Sequence, residues 1–338
     1  MEMFPQQFEN ALKRIEDHRQ ARAQEAHQEV RQVLEASEEL KAWGIDTVLI
    51  GSYARHTSIH PGRDVDVFSK LSSLDTDASP DHVFSVCVRV LTDEYGARAE
   101  AQRRSVKIAF KSDHEDDRFS VDAVPAVKMG LHWAIPNRDP SAWAGDDRWV
   151  ETNPERLTEL THKQNRQPIL NGQGMYVPTV KFVRQIRRHH LGESKPGGLY
   201  FELLTYWAFN AGLENDGSFA EVLAEVLEFI AQRLDAAPGD PVMDPALNRP
   251  FEPRPTLAEL QAAGTKFSEL ARMAHRALSE ERCPAAALWR RILGQNRRGW
   301  CFTLPEGCDE QGREIAPIAA VSSRGPREAG SFGSDQHA

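Results

Sequence analysis

The sequence is poor in cysteine, in basic charge and in long apolar runs. Its four cysteines, Cys87, Cys283, Cys301 and Cys308, form no Cys-x-x-Cys pair and have no neighbouring histidine pattern, which favours reduced thiols over a zinc site. The formal net charge of -9 disfavours a general nucleic-acid coat protein. No run approaches the ~20 apolar residues of a membrane span, and the acidic, polar N-terminus is not typical of a signal peptide. We therefore expect a cytoplasmic protein with no membrane partner.

A short apolar strand that ends in a Gly-Ser turn is the first informative pattern. Residues 47–50 read as a buried strand, and Gly51 allows the chain to turn sharply and to approach a ligand closely. Ser52 is then placed to cap the following helix, whose free N–H groups and dipole favour a phosphate. A Gly-Ser pair by itself is equally typical of an ordinary tight turn.

Two aspartates lie on one face of the next strand. Side chains alternate along a strand, so Asp64 and Asp66 point the same way, ~6.6 Å apart. Two adjacent carboxylates repel each other, and a divalent cation between them would remove that repulsion. Oxygen ligands of this kind suit Mg²⁺. Asp-x-Asp alone more often marks a solvated strand edge, and the Gly-Ser turn upstream is what favours a metal site.

A third carboxylate, Asp122, lies in an otherwise apolar stretch. Residues 105–110 and 118–124 both alternate as strands, and the acidic turn at 112–117 between them predicts a hairpin with a solvated loop. A carboxylate buried without a partner is costly, so we expect Asp122 to have one.

Taken together, these motifs resemble the polymerase-β-like nucleotidyltransferases, and within them the bacterial relatives of cyclic GMP-AMP synthase and oligoadenylate synthetase. The resemblance rests on Gly-Ser-Tyr-Ala-Arg at 51–55, Asp-Val-Asp-Val at 64–67 and Val-Asp-Ala-Val-Pro-Ala at 121–126. Weaker similarities extend it over roughly residues 5–300, without the zinc insertion of the animal DNA sensors. They lie at 149–155, 180–184, 200–204, 242–245 and 287–294.

The resemblance implies an α+β fold, with a polymerase-β-like lobe of mixed sheet and helices and a helical second lobe. The composition from Gln6 to Trp43 predicts one long N-terminal helix, which we expect to pack across both lobes. The expected divisions are an N-terminal helix at 1–45, a catalytic lobe at 46–150, a helical lobe at 151–304 and a flexible tail at 305–338. Helices are predicted at 177–190, 199–211, 219–234, 257–279 and 284–295, and disorder at 322–338.

The resemblance also implies the roles of the site residues. A ribose hydroxyl would attack the α-phosphate of a nucleoside triphosphate in line and release pyrophosphate. Two Mg²⁺ ions, with Mn²⁺ as the alternative, would be held by Asp64, Asp66 and Asp122, the last acting as ligand or base. Gly51 and Ser52 would hold the β- and γ-phosphates.

Two further residues are candidate nucleotide contacts. Lys181 shares a helix face with Arg184 and Arg188, and the resemblance places the lysine against the triphosphate; a solvated basic face is the alternative. Tyr200 is a candidate platform for the base. It lies two residues before Glu202 rather than the three or four of the common pattern, and one helical position is ~100° of rotation, so it could equally face the core.

The function implied is synthesis of a cyclic di- or oligonucleotide second messenger in antiphage defence. The product would activate a separate effector protein, and the tail suggests a regulatory protein partner. A nucleic-acid activator is not expected, because no long basic stripe is visible elsewhere. The alternative is transfer to a protein, tRNA or small-molecule acceptor, as in toxin–antitoxin or antibiotic-modifying enzymes. A non-catalytic binding protein is disfavoured by the intact aspartates and Gly-Ser turn.

Overall fold

The computed structural model describes residues 3–17, 20–62, 64–110, 119–138, 148–170, 172–214 and 217–315. Within this part of the chain, the first lobe contains a seven-stranded mixed sheet with the main order β1-β2-β5-β4-β3, extended by β6 beside β5 and β7 beside β6. Its strands are β1 (Ile45–Ile50), β2 (Asp64–Asp75), β3 (Ala99–Ala101), β4 (Val106–Phe110), β5 (Phe119–Met129), β6 (His132–Pro136) and β7 (Trp149–Thr152).

The pairing of β2 with β5 positions the future site. These two strands are parallel and pair Asp66 with Asp122 and Asp64 with Ser120, whereas the neighbouring pairs are antiparallel. Val65 and Val67 alternate with the aspartates and are buried, because the opposite face of the sheet carries the core of this lobe. The predicted β4–β5 hairpin is confirmed, and the acidic turn at 112–117 lies outside the described residues.

The N-terminal segment is not one long helix, and that prediction is wrong. It forms α1 (Pro5–Ile15), α2 (Gln20–Ala36) and α3 (Glu38–Ala42). At Glu16 the backbone becomes extended and bridges to Ile59, while the His60 N–H donates to the Ile15 carbonyl at 2.7 Å. Tertiary hydrogen bonds therefore overrule a good helical composition at this point. The segment nevertheless contacts both cores, α1 in the second lobe and α2 in the first.

One-turn helix α4 (Gly51–Ala54) and α5 (Pro80–Tyr95) complete the first lobe. The second lobe is helical and its core includes Trp289, which is fully buried and meets Phe8 of α1 edge-on at 5.2 Å. The five helices predicted for this lobe are confirmed, with ends that shift by no more than two residues. Its helices are α6 (Pro154–Gln164), α7 (Tyr176–Leu191), α8 (Gly198–Ala211), α9 (Phe219–Ala236), α10 (Leu257–Ser279) and α11 (Arg282–Leu293).

In the described part of the second lobe, three two-stranded hairpins lie between the helices or after the last one. The middle one forms in the proline-rich connection between α9 and α10, and its two strands pair Met243 with Pro250 and Asp244 with Arg249. The hairpins are β8 (Ile169–Leu170) with β9 (Gln173–Gly174), β10 (Met243–Asp244) with β11 (Arg249–Pro250), and β12 (Gln295–Asn296) with β13 (Gly299–Trp300).

The chain after α11 folds back onto that helix. Cys283 and Cys308 form a disulfide, so the expectation of four reduced thiols is wrong for this pair, while Cys87 and Cys301 are free and buried. The disulfide and an ion pair of Arg290 with Glu310 at 2.7 Å hold the segment at 305–315, which is therefore not the flexible tail predicted for it. Residues 316–338 lie outside the described part, as does the disorder predicted for 322–338. No described helix is long and apolar enough to cross a membrane.

Candidate active site

The three predicted aspartates lie on the same face of the β2–β5 pair. Asp66 and Asp122 are direct neighbours across the two strands, and Asp64 lies two residues before Asp66 on the same face. The Ser120 hydroxyl donates to Asp64 Oδ1 at 2.8 Å, whereas Asp122 Oδ1 is buried and has no hydrogen-bond partner. The expectation that a buried Asp122 has a partner is thus not met by the protein alone.

The clustering of these carboxylates disfavours their ionised forms. Burial, and then the charge of Asp64, raise the pKa of Asp66 to about 6, against the opposing effect of Arg55 and Arg184. Burial, followed by the charges of Asp64 and Asp66, raises the pKa of Asp122 to about 7. Negative charge is concentrated here and is only partly compensated by the protein.

The Gly-Ser turn touches this cluster directly. Ile50 pairs with Asp66, so that β1 delivers Gly51 beside the carboxylate; a Cβ at position 51 would lie 1.9 Å from Asp66 Oδ2. Gly51 also has a φ of +74°, which other residues rarely adopt. The predicted N-cap role of Ser52 is wrong, because α4 begins at Gly51 and its N-cap residue is Ile50. Ser52 instead lines the cleft described next.

A cleft of about 540 Å³ opens in front of the turn and lies within the size range of small-molecule sites. One wall carries Gly51, Ser52, Asp64 and Asp66. The other walls come from β7 and the start of α6, from α7 and from the β10–β11 hairpin. They include Glu151, Asn153, Arg184, Arg188, Asp244, Arg249 and Phe251.

An ion pair ties the hairpin to the sheet. Arg249 Nη1 lies 2.7 Å from Glu151 Oε2, and Glu151 also accepts a hydrogen bond from His132 at 2.5 Å. Arg249 donates in addition to the backbone carbonyl of residue 151 at 3.1 Å. These contacts fix the position of the wall that carries Phe251 relative to the wall that carries the aspartates.

A buried ionic cluster that the sequence did not reveal lies behind the turn. Glu202 is 1% exposed and accepts from Arg55 Nε at 2.6 Å and from Arg184 Nη1 at 3.2 Å. The Thr57 hydroxyl lies within 3.3 Å of the same carboxylate. Arg55 belongs to the Gly-Ser-Tyr-Ala-Arg motif and Glu202 to the similar segment at 200–204, but no spacing rule connects them with Arg184.

Two predicted nucleotide contacts lie elsewhere. Lys181 Nζ pairs with Glu16 at 2.8 Å and lines a separate cavity of about 210 Å³. Tyr200 is 3% exposed and lines a third cavity of about 240 Å³, with its ring 5.9 Å from that of Phe251. Phe251 lines both this cavity and the cleft, so the aromatic side chain at the cleft is Phe251 and not Tyr200.

The residues present fit a divalent cation. Their donors are hard carboxylate oxygens, one of them a buried oxygen that lacks any partner, and their mutual repulsion would be relieved by a positive charge. Within the described ranges, no three acidic, histidine or cysteine side chains already converge closely enough to form a ready-made metal cluster.

Comparison with known proteins agrees with this geometry. Residues 2–165 match the Second Messenger Oligonucleotide or Dinucleotide Synthetase domain. A cyclic AMP-AMP-AMP synthase from Acinetobacter sp. is 27% identical over 286 residues, which cover 80% of this chain and 77% of that protein.

Solved structures show the same fold. Bradyrhizobium diazoefficiens CdnG in complex with GTP superposes with a TM-score of 0.65 at 14% identity, over 85% of this chain and 94% of its own. CdnC of E. coli MS115-1, solved in a complex with HORMA, superposes with a TM-score of 0.62 at 14% identity, over 86% of this chain and 94% of its own. The predicted α+β nucleotidyltransferase fold is confirmed. The chain is therefore a nucleotidyltransferase that carries a Second Messenger Oligonucleotide or Dinucleotide Synthetase domain at residues 2–165 and is similar to bacterial cyclic oligonucleotide synthases.

Proposed function

We propose that the protein joins nucleoside triphosphates into a cyclic oligonucleotide, with release of pyrophosphate, at the cleft in front of Gly51. The observation that carries this proposal is the placement of Asp64, Asp66 and Asp122 on one face of the paired strands β2 and β5, beside the Gly51 turn. Nucleotidyl transfer needs a binding site for a triphosphate next to carboxylates that can hold cations. Here Gly51 lies directly beside Asp66, one of the three carboxylates.

Asp64, Asp66 and Asp122 would hold two divalent cations, Mg²⁺ or Mn²⁺, whose contribution is charge neutralisation at the phosphates and a lowered pKa of the attacking ribose hydroxyl. Ser120 fixes the orientation of Asp64 through its hydroxyl. Asp122 would complete the ligand set through its unpartnered Oδ1. Most of the rate enhancement in such a reaction comes from positioning and electrostatic stabilisation, which these side chains supply.

The remaining cleft residues suit the rest of a nucleotide. The Gly51 backbone and the Ser52 hydroxyl would contact the β- and γ-phosphates, because the missing Cβ allows a close approach. Phe251, at the opposite wall, is the aromatic surface on which a base would stack. The phosphate contact expected of Lys181 would fall to arginines on the same helix, since Lys181 is paired with Glu16.

We propose the product and partners from the relatives. The Acinetobacter relative is a cyclic AMP-AMP-AMP synthase, so a cyclic adenine trinucleotide is the first product to seek. We propose that the product activates a separate effector protein in antiphage defence, in the cytoplasm, where nucleoside triphosphates are supplied. The complex of CdnC with HORMA supports a regulatory protein partner for this chain as well.

The test is product formation by the full chain with Mg²⁺ and the four ribonucleoside triphosphates, singly and mixed. Pyrophosphate release is followed, and phosphatase-resistant products are identified by mass spectrometry. Asp64→Asn and Asp66→Asn should each lower the rate at least about hundredfold, because each removes charge stabilisation at the reacting phosphate. Asp77→Asn, an exposed aspartate in the turn after β2, is the control and should act like the parent.

Two results would contradict the proposal. Pyrophosphate release by Asp64→Asn or Asp66→Asn at the parent's rate would remove these residues from the chemistry. Label from ATP that appears only on an added protein, tRNA or aminoglycoside, with no small product, would favour the alternative transferase class.

A further inference from the structure

The ionic cluster of Arg55, Arg184 and Glu202 has an unequal composition: two guanidinium groups share one carboxylate. All three side chains are largely buried, with exposed side-chain fractions of 6%, 18% and 1%. An arginine keeps its proton in proteins, so the cluster carries one net positive charge. A buried charge needs a partner. Asp66 interacts electrostatically with both arginines, but Glu202 is the one carboxylate among the described residues that forms an ion pair with them.

The members of the cluster differ in what they can reach. Arg55 and Arg184 both line the cleft beside Ser52 and Asp66, whereas Glu202 does not. Glu202 is directed at the arginines and at Thr57, and its position on α8 keeps it away from any molecule in the cleft. Any effect of Glu202 on a nucleotide must therefore pass through the arginines.

The geometry around Arg184 fixes its direction. Its guanidinium lies over the first turn of α8, where a Cβ on Gly198 would be 3.6 Å from Nη2. Glu202 binds only Nη1, at 3.2 Å, as does the Thr57 hydroxyl at 3.5 Å. A planar guanidinium has five donors in a rigid fork, so a carboxylate that anchors one nitrogen also sets the direction of the others.

The carboxylate is suited to that task because it stays ionised. Burial on its own would raise the pKa of Glu202, but Arg55, Arg184 and the Thr57 hydroxyl outweigh burial and lower it. The anchor therefore keeps its charge throughout the neutral range. Breaking such a buried pair on one side leaves an uncompensated charge.

We infer that Glu202 is a positioning residue that orients Arg184, together with Arg55, toward the phosphates of a nucleotide bound in the cleft. This inference rests on the proposed function. The phosphates supply the negative charge that the cluster lacks, and Arg184 takes the role that the family resemblance gives to Lys181.

The experiment is a double-mutant cycle on nucleotide binding by the full chain. The affinity for a non-hydrolysable ATP or GTP analogue is measured by calorimetry for the parent, Arg184→Leu, Glu202→Gln and the double variant. Each single substitution should weaken binding about tenfold, the value of one charge-assisted hydrogen bond. The loss in the double variant should be smaller than the two single losses combined, because Glu202 acts in part through Arg184.

Steady-state kinetics provide a second readout. A phosphate contact made in both the ground state and the transition state changes KM more than kcat, so Glu202→Gln should raise KM about tenfold and leave kcat within about threefold. Glu269→Gln, which removes a surface carboxylate paired with Lys266, is the matched control and should leave both constants unchanged.

If Glu202→Gln does not fold, Thr57→Val takes its place in the cycle, because it removes one hydrogen bond of Glu202 and keeps every charge. It should weaken binding about threefold in the parent and by a smaller factor in Arg184→Leu. Unchanged affinity in the single variants, or additive losses in the double variant, would overturn the inference. Absence of pyrophosphate release by the parent would instead overturn the proposed function.

Discussion

Replacement of Asp122 by asparagine should stabilise the metal-free protein at alkaline pH while it abolishes activity. Asp122 lies half-buried beside Asp66, its Oδ1 is buried and has no hydrogen-bond partner, and its pKa is raised to about 7 from 3.8. An asparagine of the same shape removes the charge that burial, Asp64 and Asp66 oppose. A residue kept for catalysis at the expense of stability should behave in this way.

The sign and size of the stability change caused by Asp122→Asn follow from the raised pKa of Asp122. With a raised pKa, the folded protein binds this proton more tightly than the unfolded chain does, so the free energy of unfolding falls as the pH rises from 3.8 through about 7. At ~1.4 kcal/mol per pH unit the full loss is about 4 kcal/mol. Because Asp122 is only half-buried and its neighbours relax, we expect about half of this, ~2 kcal/mol or a rise in Tm of ~4 °C.

The assay is denaturation of parent and Asp122→Asn in EDTA at pH 8 and pH 5. The advantage of the variant should be less than half as large at pH 5, where the carboxylate is largely protonated in the folded protein. Asp77→Asn controls for the loss of one negative charge from a chain of net charge -9. Mg²⁺ should raise the Tm of the parent more than that of Asp122→Asn. Equal stability of parent and variant at pH 8 would refute the electrostatic reasoning.

Two further variants probe the walls of the cleft. Gly51→Ala should lose most pyrophosphate release, because its Cβ would meet Asp66 Oδ2 at 1.9 Å; Gly130→Ala, with a φ of +61° and open space around it, imposes similar backbone strain and should keep activity. Equal activity of the two variants would show that contact with Asp66 is unimportant. Phe251→Ala should raise KM by about tenfold or more through lost stacking, and unchanged KM for all four nucleotides would place the base elsewhere.

Strand periodicity accounts for much of what the sequence predicted correctly. Residues 47–50 and 64–68 lie in half-buried strands, so their two-residue alternation is visible without any knowledge of neighbours. The partnership of Asp122 with Asp66 depends on parallel pairing of strands far apart in the chain, which periodicity does not report. Asp122 was identified by a different argument, the cost of a lone carboxylate in an apolar strand, which predicted a partner; its Oδ1 has no hydrogen-bond partner in the protein.

Lys181 was predicted to contact the nucleotide but pairs with Glu16 instead. Its position on a helix face did not determine which residue it would contact. Lys181, Arg184 and Arg188 do share one face of α7, but seven residues of helix extend ~10 Å along the axis. Lys181 therefore meets Glu16 at one end, while Arg184 and Arg188 reach the cleft. Angular position on a helix can be predicted from spacing, and the neighbour at each level of the helix cannot.

The break near Glu16 and the Cys283–Cys308 disulfide have a common cause. In both cases a residue meets a partner brought to it by the tertiary fold, Ile59 for the first and a segment 25 residues away for the second. Such partners cannot be predicted from the local amino-acid composition. A helix-forming sequence is thus interrupted where a bridge forms, and two cysteines without any metal-binding pattern are joined.

The rotation of α8 about its axis determines which of its side chains face the cleft. Tyr200 and Glu202 are two positions apart, ~200° of rotation, so they must point to opposite sides of the helix. Glu202 faces the arginines at the cleft, and Tyr200 is consequently turned away, behind Phe251. If the carboxylate is needed to orient Arg184, an aromatic platform cannot come from position 200, and the β10–β11 hairpin has to supply one. The orientation of α8 thus turns Glu202 toward the arginines and Tyr200 away from the cleft, which Phe251 lines instead.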